Sequence, residues 1–268
     1  MLKVMLLSKT SLLRCFHIFN HLAFFAGIGH YGWSPLWISV LFWFLYGCLG
    51  ISIGFHRLLS HKAFEAHPLG YYVTSVLGSL ATGGSPISWV GAHRLHHTYP
   101  DQPQDPHSLK NQSFLHIYLH LWSPFLIKRK HIRELVKDPF QVFLHRYYFH
   151  LLLLFAATLY LISPYVGIFC YSVPAVMAFH AFGMINTFGH GHGYRTYPTE
   201  DSSSNSWVAN LLTWGEGWHN NHHKYPNKYR IGLRHFEIDI SAWVIENIPF
   251  VATDRFRNKL KFSHRRGS

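Results

Sequence analysis

Residues 15–55 read CFHIFNHLAFFAGIGHYGWSPLWISVLFWFLYGCLGISIGF. The stretch is apolar on both sides of an interruption, His30-Tyr-Gly-Trp-Ser-Pro35. A membrane span needs about 20 residues, so the run is long enough for two. Gly and Pro make the interruption a tight turn. A second apolar stretch, Tyr147 to Phe188, repeats the arrangement around Ser163-Pro-Tyr-Val-Gly167. Two helical hairpins follow, with spans near 16–33, 36–55, 147–163 and 167–188, and the fold class is all-α: an integral membrane protein with four transmembrane helices.

Composition and charge placement agree. The 268 residues are 49% hydrophobic and only 13% charged, against about 25% charged in soluble domains. Neither turn contains Lys or Arg. The segment between the hairpins carries Arg57, Lys62, Arg94, Lys110, Lys128, Arg129, Lys130, Arg133, Lys137 and Arg146, and the N-terminus carries Lys3, Lys9 and Arg14. The positive-inside rule then puts both termini and a helical cap, residues 56–146 and 189–268, on the cytoplasmic side. With no repeat or linker, residues 1–268 read as a single domain. The opening MLKVMLLSKTSLLR has no small-residue cleavage site and reads as an interfacial segment. Pro68 to Val90 is apolar but punctuated by Gly70, Gly78, Gly83, Gly84 and Pro86. As a fifth span it would carry the next histidines across the membrane, so a helix at the interface or beneath the cap is expected. Cys15, Cys48 and Cys170 show no metal or disulfide spacing and read as packing residues.

The 23 histidines nearly equal the 24 Lys and Arg combined, and histidine is the commonest metal ligand. Three clusters stand out: His56-Arg-Leu-Leu-Ser-His61, His93-Arg-Leu-His96-His97 and His219-Asn-Asn-His222-His223. In a helix, positions i, i+3 and i+4 share a face, so each H-x-x-H-H cluster is expected to present three imidazoles to one place. His56 and His61 reach one site only if the helix ends or unwinds between them. The charge map puts all three clusters on the cytoplasmic face. Eight imidazoles exceed the needs of one zinc ion and suit two ions, with iron, copper, zinc and nickel all compatible. At the end of the fourth span, Asn186 and His190 share a face; His192 lies off it and reads as a packing residue.

These boxes, with Trp89, Asp105-Pro-His107, Gly193-Tyr-Arg195, Gly215-Glu-Gly-Trp218 and Glu237-Ile-Asp239, resemble the membrane fatty-acid desaturases of the acyl-CoA Δ9 type over about His56 to Ile245. The resemblance implies two iron ions on nine ligands: His56, His61, His93, His96, His97, His190, His219, His222 and His223. It also implies a metal-bound water on Asn186. Asp105 and Glu216 look like groups that orient ligand imidazoles, and His107 is the likeliest exception among the 14 histidines that match no ligand position. The chain departs from the family near Gly83 and Ser88, where Gln and Glu are usual, and at Asn111-Gln-Ser-Phe-Leu-His116. Head group, chain length and double-bond position are left open by those departures.

By the same resemblance the reaction is a dioxygen-dependent oxidation of a saturated fatty acyl chain to a cis double bond. An acyl-CoA is the expected substrate, with carrier-protein and phospholipid esters as alternatives. No cysteine cluster, flavin or nucleotide fingerprint, or haem motif is present, so a separate donor of the ferredoxin, rubredoxin or cytochrome b5 type is implied. A chain without an added domain or retention signal points to a bacterial cytoplasmic membrane. Two other readings stand beside this one. A hydroxylase or ketolase of the same superfamily would typically begin with H-x-x-x-H. A non-catalytic metal-binding or transport protein would need ionisable residues at mid-membrane, and the first three spans are expected to offer almost none.

Overall fold

The first turn is made by Gly32. In the computed structural model, which describes residues 2–121 and 125–265, helix α1 (Leu2–Tyr31) stops where Gly32 adopts φ +71° and donates its N–H to Ile28 O at 2.9 Å. Left-handed backbone is nearly free for glycine and ends the helix there. Helix α2 (Leu36–Ser60) follows the turn. Two short helices, α3 (Pro68–Leu80) and α4 (Pro86–Thr98), and the small α5 (Phe114–Tyr118) lead towards the second hairpin. There α6 (Pro139–Arg146) meets α7 (Tyr148–Ile162) at a 67° bend. The second turn shrinks to Ser163, whose Oγ accepts the Val166 N–H at 3.1 Å, and Pro164 already opens α8 (Pro164–Phe188).

Among the described residues, Ser11–Tyr31, Leu36–Ser60 and Pro164–Phe188 are long and apolar enough to cross a membrane. The 15 residues of α7 rise about 22 Å, short of the ~30 Å hydrocarbon layer. It makes a fourth span only together with α6.

Pro68 to Val90 forms no fifth span, nor does it lie flat as one helix. It breaks at residues 81–85 into α3 and the start of α4, each 13 residues long. Helix α3 runs antiparallel along α2, with Gly78 against Gly50 and Thr74 against Gly54. A Cβ on Gly50 would stand 2.4 Å from Gly78 N. Small residues at a crossing let helix backbones approach and gain dispersion contact where lipid supplies no hydrophobic drive. From Phe44 to Ser60, α2 is itself widened to i→i+5 bonding, a rare form found mostly at functional sites.

After α8 the chain builds a cap from α9 (Trp207–Thr213), α10 (His219–Lys224), α11 (Ile240–Asn247) and α12 (Asp254–Arg265). Cys48, Leu49 and Ile53 of α2 pack with Val244, Ile245 and Val251. A separate core of Tyr46, Ile51, Phe55, Val90 and Tyr148 joins α2, α4 and α7. All three cysteines are free, and the buried Cys48 behaves as a packing residue.

In Gly78→Val the new side chain would meet the Phe55 ring (2.6 Å from Cβ) and Gly50 O (2.8 Å). Overpacking of this kind costs about 1–3 kcal/mol, so thermal unfolding in detergent should show a lowered Tm. Gly29→Ala, with nothing within 4 Å of its Cβ, should leave Tm unchanged or raised.

Candidate metal centre

The ends of α2, α4 and α8 and the short α10 bring all nine candidate histidines together. They form two adjoining groups: His56, His61, His93, His97 and His222 in one, His96, His190, His219 and His223 in the other. Within each group the ligand atoms lie within 4.8 Å of one another. The widened end of α2 resolves the awkward spacing of the first box. His61 N–H bonds His56 O at 3.2 Å, an i→i+5 link that sets the two residues over one another just past the helix end.

Each H-x-x-H-H box, which helical spacing allows to face one place, is divided between the two groups. His93 and His97 share one group while His96 joins the other, and His219 and His223 share one while His222 crosses over. At about 100° per residue, i+4 falls ~40° to one side of position i and i+3 falls ~60° to the other. The outer pair therefore converges and the middle histidine diverges.

Nε2 atoms approach one another closely: His56 to His222 at 3.0 Å, His222 to His97 at 2.9 Å and His61 to His93 at 2.7 Å. In the second group His96 to His223 is 3.2 Å, His223 to His219 3.1 Å and His219 to His190 3.0 Å. Nitrogens held about 2.0–2.1 Å from one ion and at right angles stand about 3 Å apart, so these separations match the edges of a coordination polyhedron. Tautomers point the same way. His56 Nδ1–H donates to Glu216 at 2.6 Å, His96 Nδ1–H to Asp105 at 2.9 Å and His223 Nδ1–H to Asp201 at 2.9 Å. Each of these rings then turns an Nε2 lone pair inward. A cluster of facing lone pairs fits a bound cation, and either group can hold a metal ion.

Burial and the neighbouring imidazoles push His93, His96, His97, His219 and His222 well below the ordinary histidine value, and His190 to about 3. Neutral imidazole is the ligating form. Burial would raise Glu216, yet His56 and Arg57 hold it at about 2. Arg57 is itself fully buried between Glu216 and Asp239. Asp105 and Glu216, singled out in the sequence, each contact one clustered histidine, His96 and His56. Asp201 was missed, as was the link from His190 Nδ1 through Ser202 Oγ (3.4 Å) to Asp101 Oδ1 (3.0 Å). Their one signal is scarcity: the chain has only 12 acidic residues, so each buried carboxylate requires a partner.

A cavity of about 720 Å³ reaches the clusters. Its wall includes His56, His93, His96, His219 and Asn186, then Ile51, Trp43, Phe179 and Phe182. His107 also lines it, with its ring 4.3 Å from that of His96. Gly83 and Ser88 lie on this wall, whereas Asn111 is bonded to Gln102 O outside it. His192 is exposed and stacks near Phe188, outside both groups. The first span is less apolar than expected, since His21 pairs with His180 of α8 and His17 packs on Phe179.

The fatty acid desaturase family model matches residues 15–248. The chain is 37% identical over 227 residues to the sn-2 palmitoyl-lipid 9-desaturase of Nostoc sp. (strain 36), covering 81% of this chain and 79% of that protein. It is 35% identical to Delta-9 acyl-lipid desaturase 2 of Arabidopsis thaliana (84% and 76% covered) and 32% identical to acyl-CoA 5-desaturase AL21 of Anemone leveillei (84% and 72%).

Asp201→Asn should weaken metal binding about 10–100-fold by freeing the His223 ring, as read by metal titration of the metal-free protein. The histidine shifts also set a pH dependence. Folded values below 6.5 mean that the unfolded chain binds more protons under pH 6.5. Metal-free protein should hold its stability above pH 6.5 and lose it as pH falls towards 3; a Tm constant over that window would contradict the assignment.

Proposed function

The chain belongs to the fatty acid desaturase family, and from that premise we propose that it introduces a cis double bond into a saturated fatty acyl chain, Δ9-like, using two iron ions and dioxygen. The nine histidines are the ligands, Asn186 holds a metal-bound water, and Asp105 and Glu216, joined by Asp201, orient the rings. The observation that carries this reading is the position of both histidine groups at the wall of a largely apolar cavity.

An unactivated methylene has no acidic proton and no leaving group, and iron with dioxygen would supply the oxidising chemistry that side chains lack. Overall, two chain hydrogens, two protons and two external electrons convert one dioxygen to two waters. The protein's own part is positional. Ile51, Phe179 and Phe182 hold the methylenes and exclude water. Glu216, Asp105 and Asp201 keep protons on Nδ1 of their histidines, so that Nε2 stays available. Electrons come from a separate ferredoxin, rubredoxin or cytochrome b5 type donor. The whole of residues 1–268 forms one domain with four spans, α6 and α7 together serving as the third. Both termini and the metal site face the cytoplasm, and a bacterial inner membrane fits. The acyl-CoA expected from the sequence stands beside a membrane lipid ester, since relatives are named for each.

Expression in a host lacking its own desaturase, with fatty-acid profiling, should reveal a new cis double bond. His93→Ala or His222→Ala should abolish it, and His192→Ala should retain it. A hydroxylated lipid without a new double bond would instead establish the hydroxylase reading.

A further inference from the structure

The chain between the fourth span and the third histidine box is apolar on its outer face. In α9, Ala209 and Thr213 are buried, whereas Trp207, Val208, Leu211 and Leu212 are exposed, Leu211 to 78%. Ile238 and Trp243, which share a shallow pocket, are exposed to 60% and 57%. The backing of this face is tied down. Asn210 Nδ2 and Trp218 Nε1 both donate to Ile238 O, at 3.0 and 2.8 Å, and Trp207 packs edge-on against Trp218. Large apolar side chains gathered on a fixed backing mark an interaction surface.

The depth of this face follows from Trp43. Its Nε1–H donates to Leu212 O at 3.1 Å, and its ring packs with Ala178 and Ala181 of α8. Trp43 lies seven residues beyond Leu36, where α2 begins, a rise of about 10 Å. Ala178 lies fourteen residues beyond Pro164, where α8 begins, a rise of about 21 Å. By either helix the level falls inside a hydrocarbon layer of ~30 Å. The end of α9 is also built for a dry setting. A helix leaves its last carbonyls without partners of its own, yet here Leu212 O has Trp43, Thr213 O has Glu216 N–H at 3.3 Å, and Trp214 O has Ser241 N–H at 2.9 Å. Backbone exposed to lipid must be satisfied internally in this way.

Resting on the span reading and not on the reaction, we propose that α9, with Ile238 and Trp243, lies in the acyl region of the bilayer as an anchor separate from the four spans. The occupant of this face is lipid hydrocarbon. The lipid-facing surface of the spans continues into it at Trp43, and its margin has the aromatic and basic character of an interfacial element. Arg234, exposed, lies over the rings of Tyr194 and Phe236 at 5.6 and 5.9 Å. The anchor leads through Trp214 and Gly215 directly into the third box, and Thr213 and Trp214 line the cavity. Lipid thus holds this part of the cap down beside α2 and α8.

The test is spin-label accessibility of the full chain in phosphatidylglycerol–phosphatidylcholine vesicles. The native cysteines are replaced (Cys15→Ala, Cys48→Ala, Cys170→Ala), and single labels are placed through Val208→Cys, Leu211→Cys or Trp243→Cys. Oxygen concentrates in hydrocarbon, whereas a nickel chelate stays in water. Oxygen should relax these labels several-fold more than nickel, as at Phe25→Cys on span 1, and the order should reverse at the exposed Lys110→Cys. Nickel dominance at Leu211 and Trp243 beside oxygen dominance at Phe25 overturns the anchor and leaves the spans standing. Nickel dominance at Phe25 as well overturns both. Shielding from both reagents at all three positions would show a second copy covering the face, and equally overturns the proposal. If the cysteine-free chain fails to fold, the same positions are read in the native-cysteine chain after subtraction of its own signal.

Discussion

Facing lone pairs repel. Imidazoles whose inward nitrogens stand about 3 Å apart, as those of His96 and His223 do, mostly out of reach of water, favour positive charge between them. Protons are poor candidates, because burial and mutual repulsion drive most of these rings far below the ordinary histidine range. Metal binding meets the constraint, and much of the surrounding structure follows from it.

The frame is built to hold that crowding. Glu216 joins His56 and the buried Arg57, and Arg57 reaches on to Asp239. Asp239 in turn accepts the backbone N–H groups of Ile231, Gly232 and Ala242. One guanidinium between two carboxylates thereby pins the end of α2 to two segments of the cap, and each buried charge has its partner. Glu237 adds a second tie, accepting from Asn221 of α10 and from Tyr194. The division of each H-x-x-H-H box between both groups adds a further lock: α4 and α10 cannot shift relative to one another without disturbing both groups.

Function requires that this polar assembly meet an apolar chain. The cavity does so by joining the histidines at the ends of α2 and α8 to a wall of Trp43, Ile51, Phe179 and Phe182. The short pair α3 and α4 makes the approach possible. Helix α3 packs along α2 by glycine contact, and the break before α4 turns the second box back towards the first.

Much was legible without coordinates. Apolar length and the placement of Lys and Arg marked the hairpins, because lipid admits only long, internally bonded helices. Histidine spacing marked the ligands, because helical geometry is local. Three things were not legible. The i→i+5 widening of α2 extends from Phe44 to Ser60, far beyond H-x4-H, whose spacing pointed only to a helix that ends or unwinds between His56 and His61. The descent of Pro68 to Leu80 against α2 depends on Gly50 and Gly78 meeting, 28 residues apart in sequence. Asp201 and Asp101 reach the site through loops, where no periodicity ties position to direction. Sequence by itself determined the apolar helices and the candidate histidines, since each follows from interactions within a few residues. Tertiary structure alone decided how those histidines divide, which carboxylates hold them and which side chains line the cavity beside them, since those depend on directions set by the packing of distant helices.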